Sequence, residues 1–159
     1  MNKTETLEQK KRRLVGKINF LDTYLKTLNK ITFKKIDSTM LLSVVETDRL
    51  YSTNNDYNID YRITLDFNAP QKIKEWDKIK SVFGSKPLYI WLTNGDYCGL
   101  CPLESIEYFN INFDYEDDSY GIIVLIVHDF TQKVVLDFYE EDGEKKIDIE
   151  IKSVTKLQK

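Results

Sequence analysis

Three short runs hold the residue types that could do chemistry. Cys98-Gly99-Leu100-Cys101-Pro102 places two thiols at the spacing of half a tetrahedral zinc site, or of a dithiol–disulfide pair. Zinc needs two further ligands, and the chain offers no third cysteine and a single histidine, His128. A complete site would draw on a second chain or an acidic ligand. A redox pair would want its first thiol at a helix start, where the positive helix end steadies a thiolate; the flanks here read as strand and turn. The pair reads first as structural hairpin residues, with Cys98, Cys101 and His128 kept as weak metal candidates and no cofactor expected. His128 precedes Asp129, but strand neighbours point to opposite faces, so that carboxylate does not orient the ring. Asp114, Glu116 and Asp118 share the opening spacing of a calcium loop, yet Ser119 stands where glycine is required and Leu125 where a bidentate glutamate closes the site. No nucleophile elbow, phosphate-cradling loop or dinucleotide fingerprint occurs. The expectation is a protein that is not an enzyme.

Charge says more than motifs. The net charge of −3 conceals an uneven distribution: residues 1–93 carry 17 basic against 11 acidic residues, a net of +6. Residues 94–150 carry three lysines against 15 acids, a net of −12. Such polarity bears on partners rather than on fold. Asp114, Glu116, Asp117, Asp118, Glu140, Glu141, Asp142 and Glu144 form a candidate recognition surface that would repel phosphate and favour a basic protein. Nucleic acid is therefore disfavoured as a partner. The basic cluster Lys10-Lys11-Arg12-Arg13 lies between Leu7 and Leu14, whereas a basic zipper places its cations before the leucines. Only four arginines stand against nineteen lysines. With abundant Asn, Ile and Tyr, that bias points to an AT-rich bacterial or phage genome. No signal peptide is expected, and the longest apolar run, Ile122 to Val127, is far short of a membrane helix, which takes roughly 20 residues. A cytoplasmic protein is expected.

The elements that must position these residues follow from periodicity. Thr6 with Gln9 forms a capping box for a helix running to about Asn29. Leu7, Leu14, Leu21 and Leu28 recur every seven residues, and Ile18 and Leu25 fill the second seam of the heptad. Leu14, Ile18, Leu21, Leu25 and Leu28 could then pair two chains as a coiled coil. Alternatively Val15 and Tyr24 widen the stripe so that the helix docks on its own sheet. Strands are expected at 31–36 and 40–46. Tyr57 to Phe67 alternates apolar and polar strictly, the clearest strand in the chain. Pro70 can open a helix carrying Ile73, Trp76, Ile79 and Phe83 on one stripe, with Gly84 as its C-cap. Further strands are expected at 88–93, 104–115, 122–127, 134–139 and 146–154, with turns at Asn94-Gly95 and Asp142-Gly143. Ile122–Val127, apolar on both faces, reads as a central buried strand.

Leu92-x-Asn94-Gly95 followed by Gly99 resembles the strand–turn–strand opening of Sm-like and other SH3-like small barrels. The likeness is one of architecture and implies a small barrel. The expected class is α+β: a long N-terminal helix (1–30), strands with one further helix at 70–83 (31–86), and an acidic antiparallel β region (87–159) forming a small SH3/Sm-like barrel or a strongly bent sheet. The last two could be one domain, 31–159. The expected function is that of a non-enzymatic protein-binding module, an inhibitor or immunity-type protein masking a basic surface. The alternatives are an assembly protein joined as a homodimer through the N-terminal helix, and a metal or redox protein using the C-x-x-C motif.

Overall fold

The computed structural model describes residues 4–53, 56–113 and 121–155. The N-terminal helix forms in two parts, α1 (Leu7–Val15) and α2 (Leu21–Ile31), joined by a π-helical turn over Gly16–Phe20. Its capping box is present: the Gln9 N–H donates to Thr6 Oγ1 at 3.1 Å, and the Thr6 N–H donates to Gln9 Oε1 at 2.9 Å. The extra residue of the π turn rotates the second half of the helix by roughly 100° relative to the first, so the heptad does not share one face. Tyr24, Leu28 and Ile31 are buried and Leu21 and Leu25 half-buried, while Leu7, Leu14 and Ile18 stay exposed. The second half of the helix thus docks on the molecule's own core.

Two expected strands are absent. Ile31 ends α2, and Thr32 makes a single bridge to Phe109 rather than starting a strand over 31–36. Residues 40–46 instead lead into helix α3 (Val44–Tyr51), capped by Ser43, whose side chain accepts from the Glu46 N–H at 3.1 Å. Ser43-x-x-Glu46 is the start signal of that helix. The short apolar run beside it obeys either period, and the cap decides.

Strict alternation gives β1 (Tyr57–Asp66), and Pro70 opens α4 (Gln71–Phe83) with Gly84 at φ 59° behind it. Trp76, Ile79 and Phe83 are buried, whereas Ile73 is exposed. β2 (Leu88–Trp91) follows. Asn94 takes a left-handed φ of 74°, but the chain then coils into a helical turn, α5 (Gly95–Cys98), before β3 (Cys101–Leu103). Residues 104–113 form no strand. A 3-10 turn at Ile106–Tyr108 and irregular chain bury Ile106, Phe109, Ile111 and Phe113: these apolar side chains cover the sheet, and among the described residues the backbone makes a single bridge, Phe109 to Thr32. The strands β4 (Ile122–Val127), β5 (Gln132–Glu141) and β6 (Glu144–Val154) complete the fold. Asp142 and Gly143, at φ 53° and 78°, make the tight turn that pins β5 to β6.

All pairings among these strands are antiparallel, in the order β1-β6-β5-β4-β2-β3. The sheet is open, with β1 and β3 as its edges, and does not close into a barrel; the Asn94-Gly95 turn opens α5 and not a barrel hairpin. One face is the core. Ile147, Ile149, Val134, Leu136, Phe138, Ile123, Leu125 and Ile90 are buried there against α2, α4 and the 106–113 segment. β1 follows its alternation only near its end: Leu65 is buried, but Ile59 and Tyr61 are exposed, because this edge strand overruns the core and is kinked by a bulge between them. The opposite face of the sheet carries Lys133, Val135, Asp137, Tyr139 and Glu141 along β5, from a cation at one end to a carboxylate at the other.

Candidate functional site

The acidic candidate begins at the turn of β5 and β6. The two positive-φ residues hold the strands in register, and Glu140, Glu141, Asp142 and Glu144 are exposed at the tip. Glu144 lies 3.4 Å from Lys146, which also pairs with Asp66 of β1. Asp66, with its carboxylate bonded to the Lys146 ammonium, raises that lysine's pKa, and Glu144 adds to the effect. One of the tip carboxylates is thereby partly answered by the molecule's own charge. Glu140 stands opposite Lys145 across the ladder.

Asp114, Glu116, Asp117 and Asp118 lie outside the described residues. Their flanks do not. The Phe113 ring meets Phe138 edge-on at 5.1 Å and Phe67 at 5.9 Å, and the Gly121 carbonyl accepts from the Phe138 N–H at 2.9 Å. Phe113 and Gly121 thus both contact Phe138, two residues before Glu140. Over the same aromatic group sits Lys72, its ammonium 3.7 Å from the centre of the Phe67 ring and its pKa pulled down to about 8 by burial.

Three further acids share this end of the outer face. Asp137 stands directly opposite Asp148 in the β5–β6 ladder. Asp148 accepts from the Thr64 hydroxyl at 2.7 Å and the Tyr139 hydroxyl at 2.9 Å. Burial raises the Asp137 carboxyl above the ordinary range, and the charges of Asp148 and Glu150 push it further. Asp137 and Asp148 extend the negative end beyond the sequence candidates, while Asp66 is balanced by Lys146. The period-2 alternation that puts Asp148 and Glu150 outward was their sequence signal; cross-strand register, which pairs Asp137 with Asp148, is not written in either strand alone.

The C-x-x-C motif is a structural knot. Gly99, at φ 95°, presses so closely on Leu42 that a Cβ would lie 1.9 Å from the Leu42 carbonyl oxygen. Its own carbonyl accepts from the Tyr24 hydroxyl at 2.7 Å, the Leu100 N–H donates to Thr47 Oγ1 at 3.1 Å, and the Leu100 carbonyl accepts from the Leu42 N–H at 2.9 Å. α2, α3 and the 42–43 loop are stitched together here. Cys101 is fully buried and Cys98 half-buried. Burial pushes the Cys101 thiol up to about 12; burial and then Asp96 push Cys98 up to about 11. Neither thiol is presented as a thiolate near neutral pH. His128 is exposed in the β4–β5 turn, and Asp129 spends its carboxylate on the Thr131 N–H and hydroxyl at 3.0 and 2.6 Å rather than on the imidazole. Among the described residues no group of three His, Cys, Asp or Glu side chains could hold a metal ion.

The basic cluster of α1 is also partly absorbed. Arg12 pairs with Glu8 and Asp48 and donates to the Asp96 carbonyl at 2.8 Å, tying α1 to α3 and α5. Arg13 pairs with Glu5 at 3.0 Å. Gly16 lets this helix settle: a Cβ there would meet the Tyr97 carbonyl oxygen at 2.5 Å. Of the seam residues, Leu14 and Ile18 are left exposed, Leu28 is core with Leu25 packed against it, and Leu21 is half-buried.

No protein family, no curated protein and no solved structure matches this chain. Among the described residues no helix is long and apolar enough to cross a membrane.

Proposed function

We propose that this protein is a non-enzymatic binding module of the inhibitor or immunity type, of bacterial or phage origin, whose acidic end masks a basic surface on a protein partner. The observation that carries the reading is the hairpin tip, where Glu140, Glu141, Asp142 and Glu144 stand exposed at the end of a ladder of ten residue pairs. It is supported by the outward Asp137 and Asp148 nearby, which face each other across the same ladder. Concentrated negative potential of this kind speeds encounter with a basic partner and rejects acidic ones. Affinity capture from the host at two salt concentrations tests it, using the native chain and a Glu140→Lys/Glu141→Lys/Glu144→Lys variant. A partner with a basic surface is expected on the native chain, released as salt rises and lost on the variant. A partner held equally by both chains and indifferent to salt overturns the proposal.

A second reading rests on a separate observation. Leu7, Leu14 and Ile18 are exposed at 71%, 41% and 79% on the first half of the helix, as a seam awaiting a like seam would be. Self-association through this half would make a homodimer and leave the acidic hairpin free.

A further inference from the structure

The sequence predicts that Ile122–Val127, apolar on both sides, is covered on both sides. The structure covers only one. On the outer face of the sheet Val124 and Ile126 remain half-buried and Ile122 exposed. Val124 and Ile126 form the floor of a cleft of about 340 Å³, walled by Tyr51 at the end of α3, Tyr57 of β1, Trp91 of β2 and Phe130 of the β4–β5 turn. That volume lies within the range of small-molecule sites, and an aromatic lining with few polar groups is their usual make-up.

Two features separate this cleft from an ordinary surface dip. The first is Phe130, which holds a left-handed φ of 61°. A bulky residue there is a true outlier, since glycine or asparagine takes that backbone at less cost. The strain is held in place from several sides. The Phe130 carbonyl accepts from the Tyr57 hydroxyl at 2.7 Å, its N–H donates to the Val127 carbonyl at 2.7 Å, and its ring stacks on Tyr89 with centroids 6.1 Å apart. Strain maintained in this way gathers at binding sites, where the side chain is worth more than the backbone comfort it forfeits.

The second feature is Lys133. Its ammonium lies 4.1 Å from the centre of the Tyr57 ring and lines the cleft. The residue facing it across the ladder is another lysine, Lys152, which is engaged by Glu150 at 3.5 Å. Among the described residues Lys133 has no carboxylate partner, and burial and Lys152 lower its pKa. A half-buried cation over the Tyr57 ring, with no carboxylate partner among the described residues, asks for an anion that brings a ring. Lys133 and Glu141 sit eight residues apart on one strand, roughly 27 Å, so this site is distinct from the acidic tip.

We propose that the Tyr51–Tyr57–Trp91–Phe130 cleft binds a small planar or aromatic molecule carrying one anionic group, its ring between Trp91 and Phe130 and its anion on Lys133. The probes are 2-naphthoate (ring and anion), 2-naphthol (ring alone at neutral pH) and inorganic phosphate (anion alone), titrated calorimetrically into the native chain. Saturable binding of one naphthoate per chain is expected, about tenfold tighter than naphthol, with no heat from phosphate. Lys133→Met should erase the preference for naphthoate over naphthol. Phe130→Asn, which relieves the left-handed backbone, should weaken both ring compounds several-fold while the thermal midpoint holds or rises. Absence of saturable naphthoate binding, equal affinity for the two ring compounds, phosphate binding as tightly as naphthoate, or full binding by both variants would each overturn the proposal.

Discussion

At the scale of single residues, burial and neighbouring charge decide what each group can do. Cys98 and Cys101 have the spacing of a metal or redox pair but read first as structural residues; the fold buries them and raises both thiols, and the motif's work is done by the backbone of Gly99 and Leu100. Two aspartates show the opposite signs of charge linkage. Asp48 is held below the ordinary range chiefly by its hydrogen bonds from Arg12, so its contribution is present above the unfolded carboxyl pKa and fades as acid is added. Asp137 is raised, chiefly by burial and then by Asp148 and Glu150. Its folded state holds the proton more tightly than the unfolded chain does. The associated stability is therefore present below the unfolded pKa, roughly 3.9, and is lost as pH rises through the folded value. Asp137→Asn should accordingly raise the unfolding free energy at pH 7, by a few tenths to about 1 kcal/mol for a solvent-screened cross-strand pair. Near pH 3 the gain should vanish. Urea unfolding at the two pH values checks this, and an equal or opposite change at pH 7 would remove the like-charge account.

At the scale of elements, two glycines set how the helical layer meets the sheet. Gly99 combines a φ of 95° with backbone contact on Leu42, a place no side chain can enter without moving the 42–43 loop. Gly99→Ala should cost at least about 2 kcal/mol and loosen α3, read as a lower denaturation midpoint. Gly16→Ala sets two effects against each other. Alanine favours a helix over glycine by about 1 kcal/mol, but its Cβ would meet the Tyr97 carbonyl at 2.5 Å in the contact that seats the helix on α5. Backbone does not yield as a flexible side chain would, so net destabilisation is expected. Hydrogen exchange should report it as faster opening of α1, whose polar anchor on this layer is Arg12 with Asp48 and the Asp96 carbonyl. Slower exchange there would show that helix propensity outweighs the clash.

At the scale of the whole molecule, charge and apolar surface are distributed along axes that the chain order conceals. The outer face of β5 runs from Lys133 beside the aromatic cleft to Glu141 at the acidic tip. On the helical side, the π turn divides one heptad between two tasks. Leu28, with Tyr24 and Ile31, is core, and half-buried Leu21 lies one turn before Tyr24, so Leu21→Lys should lower stability rather than act on assembly alone. Ile18 at 79% exposure is the cleaner probe. If the second reading holds, Ile18→Lys should halve the mass seen by light scattering without shifting the thermal midpoint of the folded chain; a native chain already monomeric at high concentration would dispose of the dimer.

Much of this was legible in the residues themselves. Tyr57–Asp66, the Asp142-Gly143 hairpin, the Pro70-to-Gly84 helix and the Thr6–Gln9 cap each rest on a local pattern: a period of 2, a period of 3.6, or a residue suited to one backbone shape. Such patterns act within a few neighbours, and the chain carries them before it folds. Whether the short apolar runs at 31–46 and 104–113 become strand, helix or irregular cover depends on partners far off in the sequence. So do the open sheet in place of a barrel, the register that sets Asp137 against Asp148, and the uncovered outer side of β4. A local window shows that a face is apolar but not what lies on it, and only the packed chain decides which apolar faces are closed and which are left for something else.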